Sequence, residues 1–223
     1  MVGFCALSTL LISGVLLVVL GYIALHGLPG ANLHFFTRLP APVGMEGGGL
    51  AHAVAGSFIL IGLACLIGIP WGIGTGIFLS EVGKGGWWGE GVRFAVDVLS
   101  GVPSIITGIF VYALIVVKLQ SFSALAGGVA LGIIMVPLVA RNTEGILQLV
   151  PQGLREAALA LGLPFWKVIL KIVLPAAARG IGIGVTLAVA GVAGEAAPLV
   201  LITIVVAGML LARVLLPGYN FRR

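Results

Sequence analysis

The chain has 223 residues, of which 60% are hydrophobic and 9% are charged. A soluble domain needs a larger polar share for its water-facing surface, so this composition makes the lipid bilayer the solvent. Because one span takes about 20 mostly apolar residues, the length allows five or six spans and no sizeable soluble domain. The net charge of +5 fits cytoplasmic loops of a membrane protein and does not indicate a nucleic-acid partner.

Apolar segments predict the spans in chain order. No basic segment precedes the first one, so we expect a retained span and not a cleaved signal peptide. The first four spans are predicted over residues 3–25, 50–79, 94–117 and 122–140.

The last apolar run, residues 180–216, is too long for one span without extreme tilt. Gly194-Glu195 and Pro198 interrupt it, which leaves two interpretations: two short spans, or one span with an interfacial tail. The distribution of Lys and Arg favours two short spans. Lys and Arg concentrate in the polar stretch 141–179, and placing that stretch and the N-terminus in the cytoplasm satisfies the positive-inside rule with six spans.

Small residues and prolines indicate packing and hinge points within the spans. Gly72 and Gly76 are four residues apart, so they share a helix face and allow a neighbouring helix to come close. Pro70, Pro103 and Pro137 are candidate hinges or kinks, although most prolines in membrane helices are packing features.

The polar stretch can form two short helices with a sharp bend. Pro151 suits the start of a first helix over about 154–161, and Gly162 can end it in a left-handed cap. A second helix is predicted over 164–173, with Pro175 at its end.

Four charged residues lie in or near predicted spans. Arg141 and Glu144 are three residues apart and can share a helix face at the end of the fourth span. They are candidates for an anion pathway, because a guanidinium matches phosphate oxygens; the alternative is a snorkelling pair at the membrane surface. Glu195 lies deeper and is a third candidate, for packing or closing the pathway. Asp97 is expected at the interface.

The sequence contains no recognisable motif for ATP hydrolysis, nucleophilic catalysis or metal binding. There is no phosphate-binding loop of the G-x-x-x-x-G-K-[ST] type and no nucleophile elbow, so we expect no ATP hydrolysis and no bound cofactor in this chain. His26, His34 and His52 fit no metal template. Cys5 and Cys65 lie in apolar runs and are expected to be packing residues.

The polar stretch resembles a known docking element. The Glu-Ala-Ala sequence at 156–158, Gly162 and the Ile-Val-Leu-Pro sequence at 172–175 are similar to the EAA loop of ABC importer permeases. The resemblance implies a coupling helix at about 154–162 that sits in a cleft of an ATPase subunit. The alternative is an amphipathic helix at the membrane surface. The implied ATPase contacts are Arg155, Glu156, Ala157, Ala158 and Gly162.

Three further segments, 101–106, 141–144 and 193–199, are similar to the permeases of phosphate importers. Two positions depart from that pattern, since Gly191 stands where the family commonly has Arg and Ala196 where it has Thr. The outer loop before the last span also looks deleted near residues 201–204.

The resemblance implies an all-α polytopic bundle with the type I ABC importer permease fold. We expect one permease domain over 1–223, with about six spans, or five if the last run is a single span. The implied function is ATP-driven import of inorganic phosphate across the cell inner membrane. The implied partners are an ABC ATPase dimer (PstB-like) that holds ATP-Mg, a second permease (PstC-like) and an external phosphate-binding protein. The alternatives are another oxyanion or small solute, or a passive channel or non-catalytic membrane protein.

Overall fold

The computed structural model describes residues 2–28, 32–41, 48–119 and 123–195. The chain divides into two compact units, Met1–Gly56 and Ser57–Arg223. The described ranges are helical and contain no strand, which confirms the predicted all-α class. Four described helices are long and apolar enough to cross a membrane, and a bent pair of helices makes up to five.

The first unit contains α1 (Val2–Gly27) and α2 (Leu33–Thr37). α1 is apolar on all sides, as expected of a helix that spans a membrane, and the apolar stretch Ala6–Gly27 confirms the first predicted span. α2 begins after Asn32, whose Oδ1 accepts a hydrogen bond of 2.9 Å from the N–H of Phe35. This side-chain cap fixes the start of the helix.

α3 (Ala51–Ile77) continues through the π-helical segment Phe78–Val82 to give a candidate span of 32 residues. Pro70 lies inside this helix, as predicted. The span extends three residues past the predicted end at residue 79 and includes Glu81. A carboxylate does not end the helix here because its charge is neutralised within the chain, as shown below.

α4 (Trp87–Gly101) and α5 (Ser104–Val111) meet at an angle of 100°. The third span, predicted over 94–117, is therefore a bent pair of helices that begins earlier, at Trp87, and bends next to Pro103, one of the predicted kink points. The cause is Pro103, since a proline disfavours helical backbone at the residue before it, and Val102 is extended with φ −73° and ψ 125°. The bent pair is completed by the π-helical segment Tyr112–Val116 and α6 (Val117–Leu119).

α7 (Ala124–Gln148) is the central helix of the described part of the second unit. More than half of its apolar window is buried, compared with 28% or less in the other candidate spans. Its end lies eight residues beyond the predicted end at residue 140. As a result, Arg141 and Glu144 lie within the helix and not at its end. Pro137 also lies inside α7 without ending it.

α8 (Gln152–Ala160) is the short helix predicted in the polar stretch, and Pro151 stands at its N-cap. Gly162 adopts φ +79° after the helix, which confirms the predicted left-handed cap. Glycine is needed at this position because a side chain strains backbone with a positive φ.

α9 (Phe165–Val168), the π-helical segment Ile169–Val173 and α10 (Leu174–Ala193) form one candidate span of 29 residues. The prediction that Pro175 ends the second helix is wrong. Pro175 occupies the first turn of α10, where a missing N–H is tolerated, and the π-helical segment before it takes up the change in hydrogen bonding.

The predicted interruption of the last apolar run is confirmed at Gly194, where α10 has ended. The predictions for Ala196, for the shortened outer loop and for the spans after α10 lie outside the described residues.

Candidate functional site

A glycine face on α3 sets the distance between α3 and α7. If Gly72 carried a methyl group, that carbon would lie 2.5 Å from Cβ of Val139, closer than real side chains approach. From one pair of facing residues to the next, the position on α3 and the position on α7 both increase by four. The two helices therefore run parallel, with their backbones close together. This confirms the close approach predicted for the glycines. The facing pairs are Gly68 with Met135, Gly72 with Val139 and Gly76 with Thr143.

α10 packs against α7 in the opposite direction. Gly180 faces Ile146, and Gly184 faces Asn142 four residues earlier in α7. Arg141 and Glu144, which are two of the predicted pathway residues, therefore lie on a helix that packs closely against both α3 and α10. Close packing of this kind leaves little freedom for α7 to move alone.

The first polar site joins α8 to the ends of α3 and α7, and we call it the α8 anchor. Arg155 Nη2 lies 2.7 Å from Glu81 Oε1, and Arg155 Nε lies 3.0 Å from Glu81 Oε2. Arg155 Nη1 also donates to the carbonyl of Val150 at 2.6 Å, and Nη2 donates to the carbonyl of Leu147 at 2.9 Å. These carbonyls lie at and just beyond the end of α7, where a cation interacts favourably with the helix dipole.

Both members of the α8 anchor are buried, with 9% of the Arg155 side chain and 2% of the Glu81 side chain exposed. Ser80 is fully buried and its Oγ donates to Glu81 Oε1 at 3.0 Å. A two-point contact between guanidinium and carboxylate fixes orientation as well as distance. The anchor therefore holds α8 at a defined angle to the two spans.

The five predicted ATPase contacts, four in α8 and Gly162 just after it, divide between exposed and buried positions. Glu156, Ala157 and Gly162 are exposed, whereas Arg155 and Ala158 are buried. The structure thus brings three of the five residues to an accessible face. The other two are not placed for direct contact with another protein, because Arg155 bonds inward and Ala158 packs in the core around Leu147 and Val173.

The second polar site lies between α4 and α7, and we call it the α4–α7 charge cluster. Glu144 is its centre, with 5% of its side chain exposed. Its Oε1 accepts from Arg93 Nη2 at 2.7 Å, and its Oε2 accepts from Arg141 Nη1 at 2.9 Å. Arg141 Nη2 also pairs with Asp97 Oδ1. Gln148 Nε2 donates weakly to Glu144 Oε1 at 3.4 Å.

This geometry does not match the snorkelling interpretation of Arg141 and Glu144, and a role in the anion pathway stays a prediction. A snorkelling pair places both charges in water, but Glu144 is buried and holds two guanidinium groups. Asp97 was expected only at the interface, and Arg93 was missed. A local signal was present for both, because they are four residues apart and so share one face of α4.

The α4–α7 charge cluster combines two arginines with two carboxylates, so its net charge is zero. Each arginine side chain remains about one third exposed, so some of its N–H groups stay accessible from outside the cluster. A buried carboxylate that orients two guanidinium groups can present them to an anion. Glu144 itself does not repel that anion strongly, because its charge is already neutralised.

The remaining predicted residues lie apart from both polar sites. Glu195 follows the end of α10 and is half-buried, with its N–H bonded to the carbonyl of Val192 at 3.1 Å. Gly191 is exposed on α10, and a side chain added there meets no atom of the described residues within 4 Å. Pro103 stands at the bend between α4 and α5. Hinge motion at Pro103, Pro70 or Pro137 stays a prediction.

Comparison with known proteins places these features in a family. Residues 68–217, about two thirds of the chain, match the family described as "Binding-protein-dependent transport system inner membrane component". The chain is 49% identical over 173 residues to the phosphate transport system permease protein PstA of Yersinia pestis, covering 78% of this chain and 59% of the relative. It is 47% identical over 174 residues to PstA of Haemophilus influenzae, covering 78% and 61%.

The chain spans about three fifths of the length of these curated relatives. A solved structure has a similar fold: a chain of "Inward facing conformations of the MetNI methionine ABC transporter" (CY5 native crystal form) aligns with a TM-score of 0.56 at 23% identity, covering 67% of this chain and 70% of that one. The chain belongs to the family of binding-protein-dependent transport system inner membrane components.

Proposed function

We propose that the protein is the permease subunit of an ATP-driven importer and that it moves inorganic phosphate into the cell. The observation that carries the proposal is α8. This nine-residue helix is held at the ends of α3 and α7 by Arg155. Its residues Glu156 and Ala157 are exposed, and so is Gly162 just beyond its end. A rigidly held helix with an accessible face can receive motion from another subunit and pass it to the spans.

Phosphate as the substrate is supported by two observations. The relatives that share 47–49% of aligned residues carry phosphate transport in their names. In addition, the α4–α7 charge cluster holds Arg93 and Arg141 within the span region with part of each guanidinium exposed, and arginine is well suited to bind phosphate oxygens. Another oxyanion is the alternative that this chemistry leaves open.

The assembly that follows has four kinds of subunit. A dimer of ATPase subunits holds ATP-Mg and docks at α8, so this chain is a transport subunit and not the enzyme. A second permease completes the pathway, and an external binding protein delivers phosphate. The N-terminus and α8 lie on the cytoplasmic side of the inner membrane. The positive-inside rule supports this orientation, because the stretch 141–179 around α8 carries five of the twelve Lys and Arg residues.

The docking role of α8 predicts a specific loss on charge reversal. In co-purification from detergent, Glu156→Lys is expected to lower recovery of the ATPase subunit at least tenfold, on the order of 1.4 kcal/mol of binding free energy. Glu90→Lys is the matched control, because it makes the same change at an exposed residue of α4. Equal recovery with both variants contradicts docking at α8 and leaves an amphipathic surface helix.

The substrate is tested in membrane vesicles that contain the complete assembly. Radiolabelled phosphate is expected to accumulate only when ATP and the external binding protein are both supplied. Uptake that continues without ATP contradicts an importer and indicates a passive channel. Uptake that unlabelled sulfate suppresses as well as unlabelled phosphate shows that the substrate class is broader than proposed.

A further inference from the structure

We propose that the Glu81–Arg155 pair is the mechanical link through which movement of α8 reaches the transport pathway, with Arg155 and Glu81 as positioning residues. The inference rests on the proposed role of α8. It adds the residues through which motion of α8 passes to the rest of this chain. It reassigns Arg155 from a direct ATPase contact to a residue that acts on α3 and α7.

The first argument is how few contacts hold α8. Only Arg155 and Ala158 of its nine residues are buried. Ala158 packs as a methyl group in the apolar core, and such contacts slide with little resistance because they have no preferred direction. Arg155 makes four directional hydrogen bonds, two to Glu81 and two to backbone carbonyls. Among the described side chains of α8, Arg155 therefore provides the directional link to α3 and α7.

The second argument is where those bonds end. Glu81 lies in the π-helical segment that closes α3, and the carbonyl of Leu147 lies in the last turn of α7. The backbones of α3 and α7 lie close together along the glycine face. A force applied at the C-terminal ends of both helices therefore moves them as a pair. The link therefore acts on two spans together and not on α8 alone.

The third argument is the short distance along α7 to the α4–α7 charge cluster. The last turn of α7 accepts a hydrogen bond from Arg155 at Leu147 and, one residue later, donates one from Gln148 to Glu144. A shift of this turn changes the position of Glu144, which orients Arg93 and Arg141. Glu144, which holds Arg93 and Arg141, thus lies one helical turn from the carbonyl that Arg155 contacts.

Stability alone does not explain the pair. Replacing a buried ion pair with well-packed apolar residues is often neutral or stabilising, because removing both charges also removes the cost of taking them out of water. An ion pair gives defined direction, which an apolar pair of similar size does not. This difference supplies the test, since an apolar pair should preserve the fold and lose the link.

The test variant combines Glu81→Met with Arg155→Met, so that neither charge is left buried alone. The matched control combines Lys118→Met with Glu90→Met, which removes one positive and one negative charge from exposed positions. Each is assembled with the ATPase, the second permease and the binding protein in proteoliposomes. We expect the test variant to hydrolyse ATP while the phosphate transported per ATP falls at least tenfold. The control should equal the wild type.

A second measurement does not depend on the substrate. Spin labels at Val82 and Gln152, both exposed, report the distance between the end of α3 and α8 after Cys5 and Cys65 are replaced with alanine. The wild type and the control are expected to give one narrow distance distribution, and the Met pair a broad one. Distributions of equal width, together with equal transport per ATP, overturn the mechanical link.

The design also covers two cases: a Met pair that does not insert, and a wild-type assembly that does not move phosphate. If the Met pair fails to insert, Arg155→Lys replaces it, because lysine keeps the charge but loses the two-point contact. We then expect the width of the distance distribution and the phosphate transported per ATP to lie between those of the wild type and complete loss of the link. Wild-type values of both overturn the link. If the wild-type assembly hydrolyses ATP without moving phosphate, the proposed substrate is wrong, and the spin-label distances still decide whether the link exists.

Discussion

Replacing Gly72 with leucine is expected to separate α3 from α7 and to abolish assembly of the permease. A carbon added at Gly72 lies 2.5 Å from Cβ of Val139 and 3.0 Å from the carbonyl oxygen of Val136, so either a backbone or a branched side chain must move. Overpacking of a close contact costs about 3 kcal/mol. The expected result is a large loss of thermal stability in detergent and a loss of transport.

Gly74→Leu is the matched control, since it lies two residues away on the same helix. In the part of the chain that the structure describes, a side chain there meets no atom within 4 Å. It adds the same volume to the exposed side of α3. We expect wild-type stability, slightly improved by replacing a helical glycine. If both variants unfold at the same temperature, helix contact is not set by the glycine face.

The same glycine face shows what the sequence could and could not predict. The four-residue spacing of Gly72 and Gly76 is a local pattern, and the close helix approach that it predicted is confirmed. Which helix approaches is not local information. Val139 and its neighbours on α7 carry no distinctive signal, because any medium-sized apolar residue can fill that position.

The ends of the helices were predicted less well than their existence, and for one physical reason. Charged residues were taken to mark the limits of spans, so α7 was predicted to stop before Arg141. The helix continues because Glu144 is neutralised by Arg93, 51 residues away. The same holds for Glu81, which is neutralised by Arg155, 74 residues away. Pairing over such separations depends on helix packing that the sequence pattern does not contain.

The bend at Pro103 is a different case, because the sequence indicated its position but not its angle. Pro103 was identified as a possible hinge or kink, and the apolar residues on both sides placed it inside one predicted span. Hydropathy reports that a segment avoids water but not its direction. The extended conformation of Val102 follows from the proline alone and was available from the sequence.

The α4–α7 charge cluster gives the second large effect. Glu144→Gln is expected to lower phosphate uptake more than tenfold and to destabilise the protein by about 2 kcal/mol, because two arginines lose the buried charge that holds them. The cost falls below that of a fully buried pair, since both guanidinium groups are about one third exposed. Uptake by vesicles and thermal unfolding in detergent measure the two effects.

Asp97→Asn is the matched comparison, because it also removes one negative charge from the cluster and leaves a residue of nearly the same shape. Asp97 is more than half exposed and contacts only the outer nitrogen of Arg141 among the described residues. We therefore expect stability close to wild type. We also expect a lower KM for phosphate, because the carboxylate of Asp97 and the transported anion compete for the same guanidinium group.

The two variants together test how the cluster acts. If its net charge alone matters, both substitutions change uptake in the same direction, since each raises that charge by one. If Glu144 orients the arginines, only Glu144→Gln abolishes uptake, while Asp97→Asn keeps it and lowers the KM. The buried position of Glu144, with a guanidinium group on each carboxylate oxygen, favours orientation. Equal gains of uptake in both variants would show that the arginines attract the anion only through their summed charge.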